Sequence, residues 1–236
     1  MAQHSLIGYC LKAKTSSWTT ILRCLDTEDI LGKFWWATWK QVNLDEKNFI
    51  LSHLLEKFKQ YKHIKEKYGD EESDSGHEVF DYEVLLGILK ERGNHVFHSN
   101  KTEFKWSIDD VEFSHSILLW HIATFLLFYN DHKKYSGGVL GPYCQISKLL
   151  SDYMMYLLLV RPLMLPKGIG EVRITDTREE VIRLLGKGKS LTNNDATSAL
   201  LHINYELGFL STHNKLVLRD GCKLALKLQG LVEELR

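Results

Sequence analysis

The chain lacks most of the signals by which a sequence announces its chemistry. It has no charge of one sign to spare: 30 Lys+Arg balance 30 Asp+Glu across 236 residues. The basic excess that binding to a phosphate backbone normally requires is therefore missing, and no nucleic-acid partner is expected. Proline is scarce, at 3 residues, which argues against a turn-rich β architecture. Of the four cysteines, Cys10, Cys24, Cys144 and Cys222, no two form a CxxC pair. That excludes a zinc ribbon and a thioredoxin-type redox motif, and reads as reduced, structural thiols. Met1 is followed by AQHSLIGYCLKAK, without the basic start and long apolar core of a secretory signal. No run reaches the ~18–20 apolar residues of a membrane-spanning helix; Ile117–Tyr129 and Met154–Val160 are the longest candidates.

What is present is helical patterning. Leu6–Lys12 is a short apolar segment read as helix. Asn43 with Glu46 has capping-box spacing and opens a helix expected over 44–59, with Phe49, Ile50, Leu54, Leu55 and Phe58 at helical intervals. Tyr61–Glu78 loses its apolar residues and turns from basic to acidic, as a linker does; its Ser73 and Ser75 lie among carboxylates and could accept phosphate. Tyr82–Glu91 reads as a short helix. Val111–Tyr129 is apolar all round after Ile117, the character of a helix in the middle of a bundle, with Ser114, His121 and Thr124 as a narrow polar stripe. Tyr143–Val160 carries a core face of Ile146, Leu149, Leu150, Tyr153, Met154, Leu157 and Leu158, and must stop near Arg161 because Pro162 follows. Thr177 with Glu180 has a second capping-box spacing, and stretches around Ala196–Leu207 and Lys215–Leu235 complete the helices. The fold expected is all-α: an irregular helical bundle with a long buried central pair. A Trp-rich piece (residues 1–60), a charged linker (61–79) and a main helical domain (80–236) divide the chain.

Four groups of residues invite a functional reading. Trp35, Trp36 and Trp39, in FWWATWK, place two indoles on one helical face; the face either packs a small helical subdomain, as large aromatics do in cores, or is an interaction face, since Trp is enriched at binding hot spots and membrane interfaces. His121, mid-helix among apolar residues, is expected to be neutral and hydrogen-bonded to a backbone carbonyl; a catalytic role would need a partner in reach. Arg161 continues an apolar stripe, so it is expected partly buried and paired, with Asp152 or Asp176 as carboxylate partners. Glu112 and His115 have the ExxH spacing of di-iron bundles, but no second ExxH accompanies them. No metal or cofactor is expected. Gly188-Lys189-Ser190 imitates the end of a P-loop, but Arg183 stands where its first glycine belongs.

The run SDYMMYLLLVRPLMLPKGIG (Ser151–Gly170), with RITDT (Arg173–Thr177), resembles a plant family known as domain of unknown function 594. HSLIGYCL, FWWATWK and EFSHSILLWHIATFLLFY (Glu112–Tyr129) resemble the adjoining domain of unknown function 4220. The resemblance implies a plant protein whose longer relatives carry transmembrane helices before this region. This chain reads as a shortened member lacking them, and as one that stops early at its C-terminal end. Where relatives often carry acidic residues it has His115 and Phe125. The family supplies no catalytic residues. The function expected is a non-enzymatic interaction or scaffold module, intracellular and at the membrane periphery, with membrane proteins or full-length relatives as partners. The alternative is an enzyme using His121 and Arg161 in a pocket between the central helices.

Overall fold

The computed structural model describes residues 1–13, 37–68, 102–134, 140–165, 170–186, 191–206 and 217–234. Among them are seven α-helices and almost no strand, the all-α class expected. The chain forms two compact units, Met1–Lys40 with Asp110–Arg236, and Gln41–Asp109.

The first unit is built around α3 (Phe113–Lys134). Ser116 N–H bonds Glu112 C=O to open this helix, and His132, Lys133 and Lys134 close it where cations complement the helix dipole. Its residues Ser114–Leu119, His121–Ala123, Phe125 and Leu126 are buried. A helix without a polar face needs cover on all sides. It is packed by α1 (Leu6–Ala13), α4 (Pro142–Val160), α5 (Gly170–Leu184), α6 (Asn193–Glu206) and α7 (Val217–Glu234).

The most extensive of these contacts is with α7. Val217, Leu218, Cys222, Leu224 and Ala225 are buried along it at helical spacing. Gly221 lies in the same stripe, and it is what lets the two helices close. A methyl group there would stand 2.7 Å from Ile122 Cγ2 and 2.8 Å from Ile122 Cβ. Glycine's cost in helix propensity is thus offset by backbone approach.

Helix α4 starts with Pro142 at its first position, where the missing N–H costs nothing. It ends as Arg161 N–H bonds Leu157 C=O, and a single 3-10 turn, Pro162–Met164, follows. Ile146, Leu149, Met155, Leu158, Leu159 and Val160 are buried.

Two strands of two residues each, β1 (Ala2–Gln3) and β2 (Thr38–Trp39), pair antiparallel, with Ala2 opposite Trp39 and Gln3 opposite Thr38. β1 also packs against α4. Trp39 is therefore in a strand, not on the helical face expected for it; strand pairing to the N-terminal segment overrides the local helical spacing.

In the second unit, α2 (Leu44–Tyr68) begins with the capping box read from the sequence. Glu46 N–H donates to Asn43 Oδ1 at 2.7 Å, and Asn43 N–H donates to Glu46 Oε2 at 2.9 Å. The helix continues through residues 61–68, where a linker was expected. The lysine-rich stretch has good helix formers and no Gly or Pro before Gly69, so low hydrophobicity alone does not end it. A short 3-10 segment, Thr102–Ser107, contains the fully buried Phe104, whose C=O accepts the Ser107 hydroxyl at 2.7 Å.

Two further expectations are corrected. Thr177 is inside α5 rather than at its start, and its hydroxyl bonds Arg173 C=O at 2.6 Å. A cap missed in the sequence opens α6 instead: Asp195 N–H donates to Thr192 Oγ1 and Thr192 N–H to Asp195 Oδ2. The helix expected at Tyr82–Glu91, with Ser73, Ser75 and the Gly188–Ser190 run, lies outside the described residues.

Substituting Gly221→Ala is expected to destabilise the protein by about 1–3 kcal/mol through overpacking against Ile122, although Ala is the better helix former. Thermal unfolding followed by circular dichroism checks this: a melting temperature equal to or above that of the wild type would contradict the close α3–α7 contact.

Candidate functional site

The chemistry-bearing residues that this fold brings together are buried where the N-terminal segment crosses α3 and α4. His121, from the middle of α3, is 1% exposed. Its Nε2 lies 3.1 Å from the backbone nitrogen of Leu6, which can only donate. Nε2 therefore holds the lone pair and Nδ1 carries the proton. Nδ1 is 3.1 Å from Ser151 Oγ on α4 and 3.8 Å from Asp152 Oδ1. The neutral tautomer is thus set by its partners.

The role of this histidine follows from the position of Leu6. Leu6 is the first residue of α1, and the first N–H groups of a helix have no partner within it. His121 supplies that partner from another helix, 115 residues away. Ser5 Oγ accepts from Gly8 N–H at 3.3 Å, and His4 N–H donates to Asp152 C=O at 3.0 Å. The start of α1 is fastened to α4 through His4 and to α3 through Leu6, while Ser5 caps it from within.

Asp152 and Lys148 complete the cluster. Lys148 Nζ bonds Asp152 Oδ2 one helical turn away, and both side chains are largely buried. The ammonium also stands 5.7 Å from the Phe125 ring centre and 5.9 Å from that of Phe128, within cation–π range. A buried cation kept by a carboxylate and two aromatic faces is a tolerable arrangement; stripped of the carboxylate it would be costly. Burial raises the Asp152 carboxyl above its ordinary range, against the opposing pull of Lys148.

Both histidines are held neutral. Burial lowers His121 well below 6.5, helped by the charge of Lys148 and the neighbouring His4, while a hydrogen bond to the Ser151 backbone acts the other way. Burial lowers His4 to about 4. His4 stacks at 5.9 Å on Tyr9, whose hydroxyl accepts from Arg178 Nη1 at 3.4 Å. His4 Nδ1 and Asp152 Oδ1 are buried with no hydrogen-bond partner among the described residues.

This constellation resembles a Ser-His-Asp arrangement in composition only. In such a triad the serine and the carboxylate engage opposite ring nitrogens. Here Ser151 and Asp152 are both on the Nδ1 side, and Nε2 is taken by a backbone N–H. His121 has no lone pair to spare for a substrate proton.

Other expected site residues are elsewhere. Arg161 is exposed, contrary to the partly buried pair expected. It ends α4, and the Pro162 turn takes the chain away from the apolar stripe before the side chain can join it. Ser151 and Arg161 are ten residues apart on α4, roughly 15 Å along its axis. His121 and Arg161 therefore do not share a site. Asp176 is exposed on α5. Glu112 is exposed ahead of α3 while His115 is buried within it, so the ExxH pair does not converge. No group of three or more His, Cys, Asp or Glu among the described residues could hold a metal ion. Cys10 and Cys222 are buried free thiols, each pushed up to about 12 by burial, and so are unreactive. Trp39 is 79% exposed, while Trp35 and Trp36 lie outside the described residues. No helix among the described residues is long and apolar enough to cross a membrane. No family model, curated protein or solved structure matches the chain.

The two histidines predict acid sensitivity of a definite sign. Each has a native pKa below its unfolded value of about 6.5, so the native state prefers the neutral ring. Their contribution is whole above pH 6.5 and is lost as the pH falls towards 4. For His4 the loss between pH 7 and 5 is about 2 kcal/mol, and His121 acts in the same direction. Asp152, with its pKa raised, acts in the opposite direction. Denaturant unfolding at the two pH values measures the difference, and His4→Gln should reduce it by about 2 kcal/mol; an unchanged slope would show that His4 is not buried.

Replacing His121 by Ala removes the partner of Leu6 N–H and leaves a cavity in the centre of the unit. A loss of about 2–4 kcal/mol is expected. Amide exchange of Leu6 should accelerate more than that of residues late in α4; uniform acceleration would assign His121 a packing role only.

Proposed function

We propose that this chain is a non-enzymatic interaction module, and that its N-terminal tryptophan surface binds a protein component of a membrane. The observation that carries this reading is Trp39. An indole that is 79% exposed, held in a strand paired with buried Ala2, is a rigid amphipathic anchor. Such residues contribute disproportionately to binding because little conformational freedom is lost on contact. Trp35 and Trp36, four and three positions earlier in the sequence, extend the same proposal.

Two considerations favour binding over catalysis. Both nitrogens of His121 are engaged within the fold, and Arg161 is exposed away from it. The resemblance of Glu112–Tyr129 and Ser151–Gly170 to the plant domains of unknown function 4220 and 594 supports a plant protein of that group. On this reading, full-length relatives with transmembrane segments are partners, and the chain works at the membrane periphery inside the cell.

The test is fractionation of the tagged chain from plant cells. The wild type should pellet with membranes and be released by a carbonate wash. Trp39→Glu should reduce the pelleted share at least about tenfold, the cost of placing a charge in an apolar contact. A wild type that stays soluble would overturn the proposal, as would a Trp39→Glu chain that pellets normally. Resistance to carbonate would instead mean an embedded chain.

A further inference from the structure

Two buried histidines of the first unit meet at one place, the junction between the N-terminal segment (residues 1–13) and helices α3 and α4. His4 belongs to the segment and His121 to the surface that receives it, and they are 3% and 1% exposed. The junction accepts neutral rings only. Nε2 of His121 accepts from Leu6 N–H at the first residue of α1. A proton on Nε2 would turn that acceptor into a donor facing a donor. It would also set an imidazolium against the N-terminal end of α1, where the helix dipole is positive.

The groups around the two rings offer little compensation. From α4, Lys148 repels a charge on His121, and Asp152 Oδ1 stands 3.8 Å from Nδ1. His4 packs on Tyr9, whose ring has the Arg178 guanidinium of α5 at 5.9 Å. Lys40 of β2 and Tyr129 of α3 couple to Asp152, and the Met1 amine bonds Lys40 C=O at 2.6 Å. Among the described residues, no charged group of α5, α6 or α7 acts on either ring.

We propose that protonation of His4 and His121 releases the N-terminal segment from α3 and α4 as a unit, while the α3–α7 core stays packed. Release puts both rings in water, where each ionises freely. It leaves the His121 imidazolium beside Asp152, whose Oδ1 is free to take the Nδ1 proton. The segment is the part with least to hold it. Its helix has eight residues, and the bond that fixes its start ends on the atom that takes up the proton. The close α3–α7 contact of Gly221 with Ile122 contains no titratable group. The sign follows from linkage. Docked rings bind protons more weakly than released ones, so the opening constant rises as the pH falls below about 6.5. His4 alone contributes a rise of about 20-fold between pH 7 and 5. His121 acts in the same direction, and Asp152, raised by burial, works against both. None of this depends on what Trp39 binds.

Cys10 on α1 and Cys222 on α7 are buried free thiols that report the two regions separately. Labelling of the full chain with N-ethylmaleimide, resolved by peptide mass spectrometry, tests the proposal. Each rate is divided by that of the urea-unfolded chain at the same pH, which removes the ionisation of the thiol itself. Cys10 should open at least about tenfold more readily than Cys222, and at least about 20-fold more at pH 5 than at pH 7. In His4→Gln that rise should shrink by about 20-fold. Equal opening at Cys10 and Cys222 overturns the proposal, because the segment then leaves only when the whole unit unfolds. A Cys10 opening constant that is the same at both pH values overturns it too. So does an undiminished rise in His4→Gln; should that variant fail to fold, the two wild-type results decide.

Discussion

The first unit depends on one constraint: α3 is apolar nearly all round, and most of its surface must be kept from water. From Ile117 to Leu126 almost every residue is buried, and burying a large aliphatic or aromatic side chain is worth about 1.5–3 kcal/mol. That energy is realised only if helices surround α3 on all sides. Their placement follows. α7 approaches closest because Gly221 has no side chain to hold it off Ile122. α4 brings Leu149 and Met155, and α1, α5 and α6 cover the rest. A buried central helix also explains why the polar residues it does carry are so consequential. His121 cannot reach solvent, so its two nitrogens must be satisfied by the elements packed over it.

Those partners give the N-terminal segment its place. A helix of eight residues such as α1 is too short to be stable alone. Its apolar Leu6, Ile7, Cys10 and Leu11 hold it to the unit, but apolar packing is not directional. The bond from Leu6 N–H to His121 and the bond from His4 N–H to Asp152 C=O are directional. They fix which residue lies at which point along α3 and α4. The same bonds require a neutral His121, so position and protonation are set together.

Much of this architecture was legible in the sequence, and the reasons differ by element. The α3 and α4 segments were readable because apolar residues in runs too long for strands have few other uses, and Pro162 marks an end. The Asn43–Glu46 cap was readable because its chemistry is local. Thr177–Glu180 has the same spacing and is not a cap, since Val172 and Ile174 already belong to the helix and spacing cannot tell a start from an interior. Lys148, Ser151 and His4 went unnoticed. They are brought to His121 by tertiary packing, and the sequence signal was a single i, i+4 pair, Lys148 with Asp152, which elsewhere is an ordinary surface ion pair. Arg161 misled because the stripe it continues, Leu150, Met154 and Leu157, is only half-buried, the buried face being Ile146, Leu149, Met155 and Leu158–Val160, and because the helix ends before it.

Position in a stripe likewise does not decide whether a face is covered. Leu51, Leu55 and Phe58 have the same spacing on α2 that Leu218, Cys222 and Ala225 have on α7. On α7 the stripe meets α3, and on α2 it is exposed. The pattern fixes only that an apolar surface will exist and how wide it is; what closes it depends on what else is within reach. A helix of 25 residues gains about one backbone bond per residue once nucleated, and its capping box secures one end. α2 can therefore persist as a helix with Leu51, Leu54 and Leu55 exposed. By contrast, both ring nitrogens of His121 are engaged within the first unit.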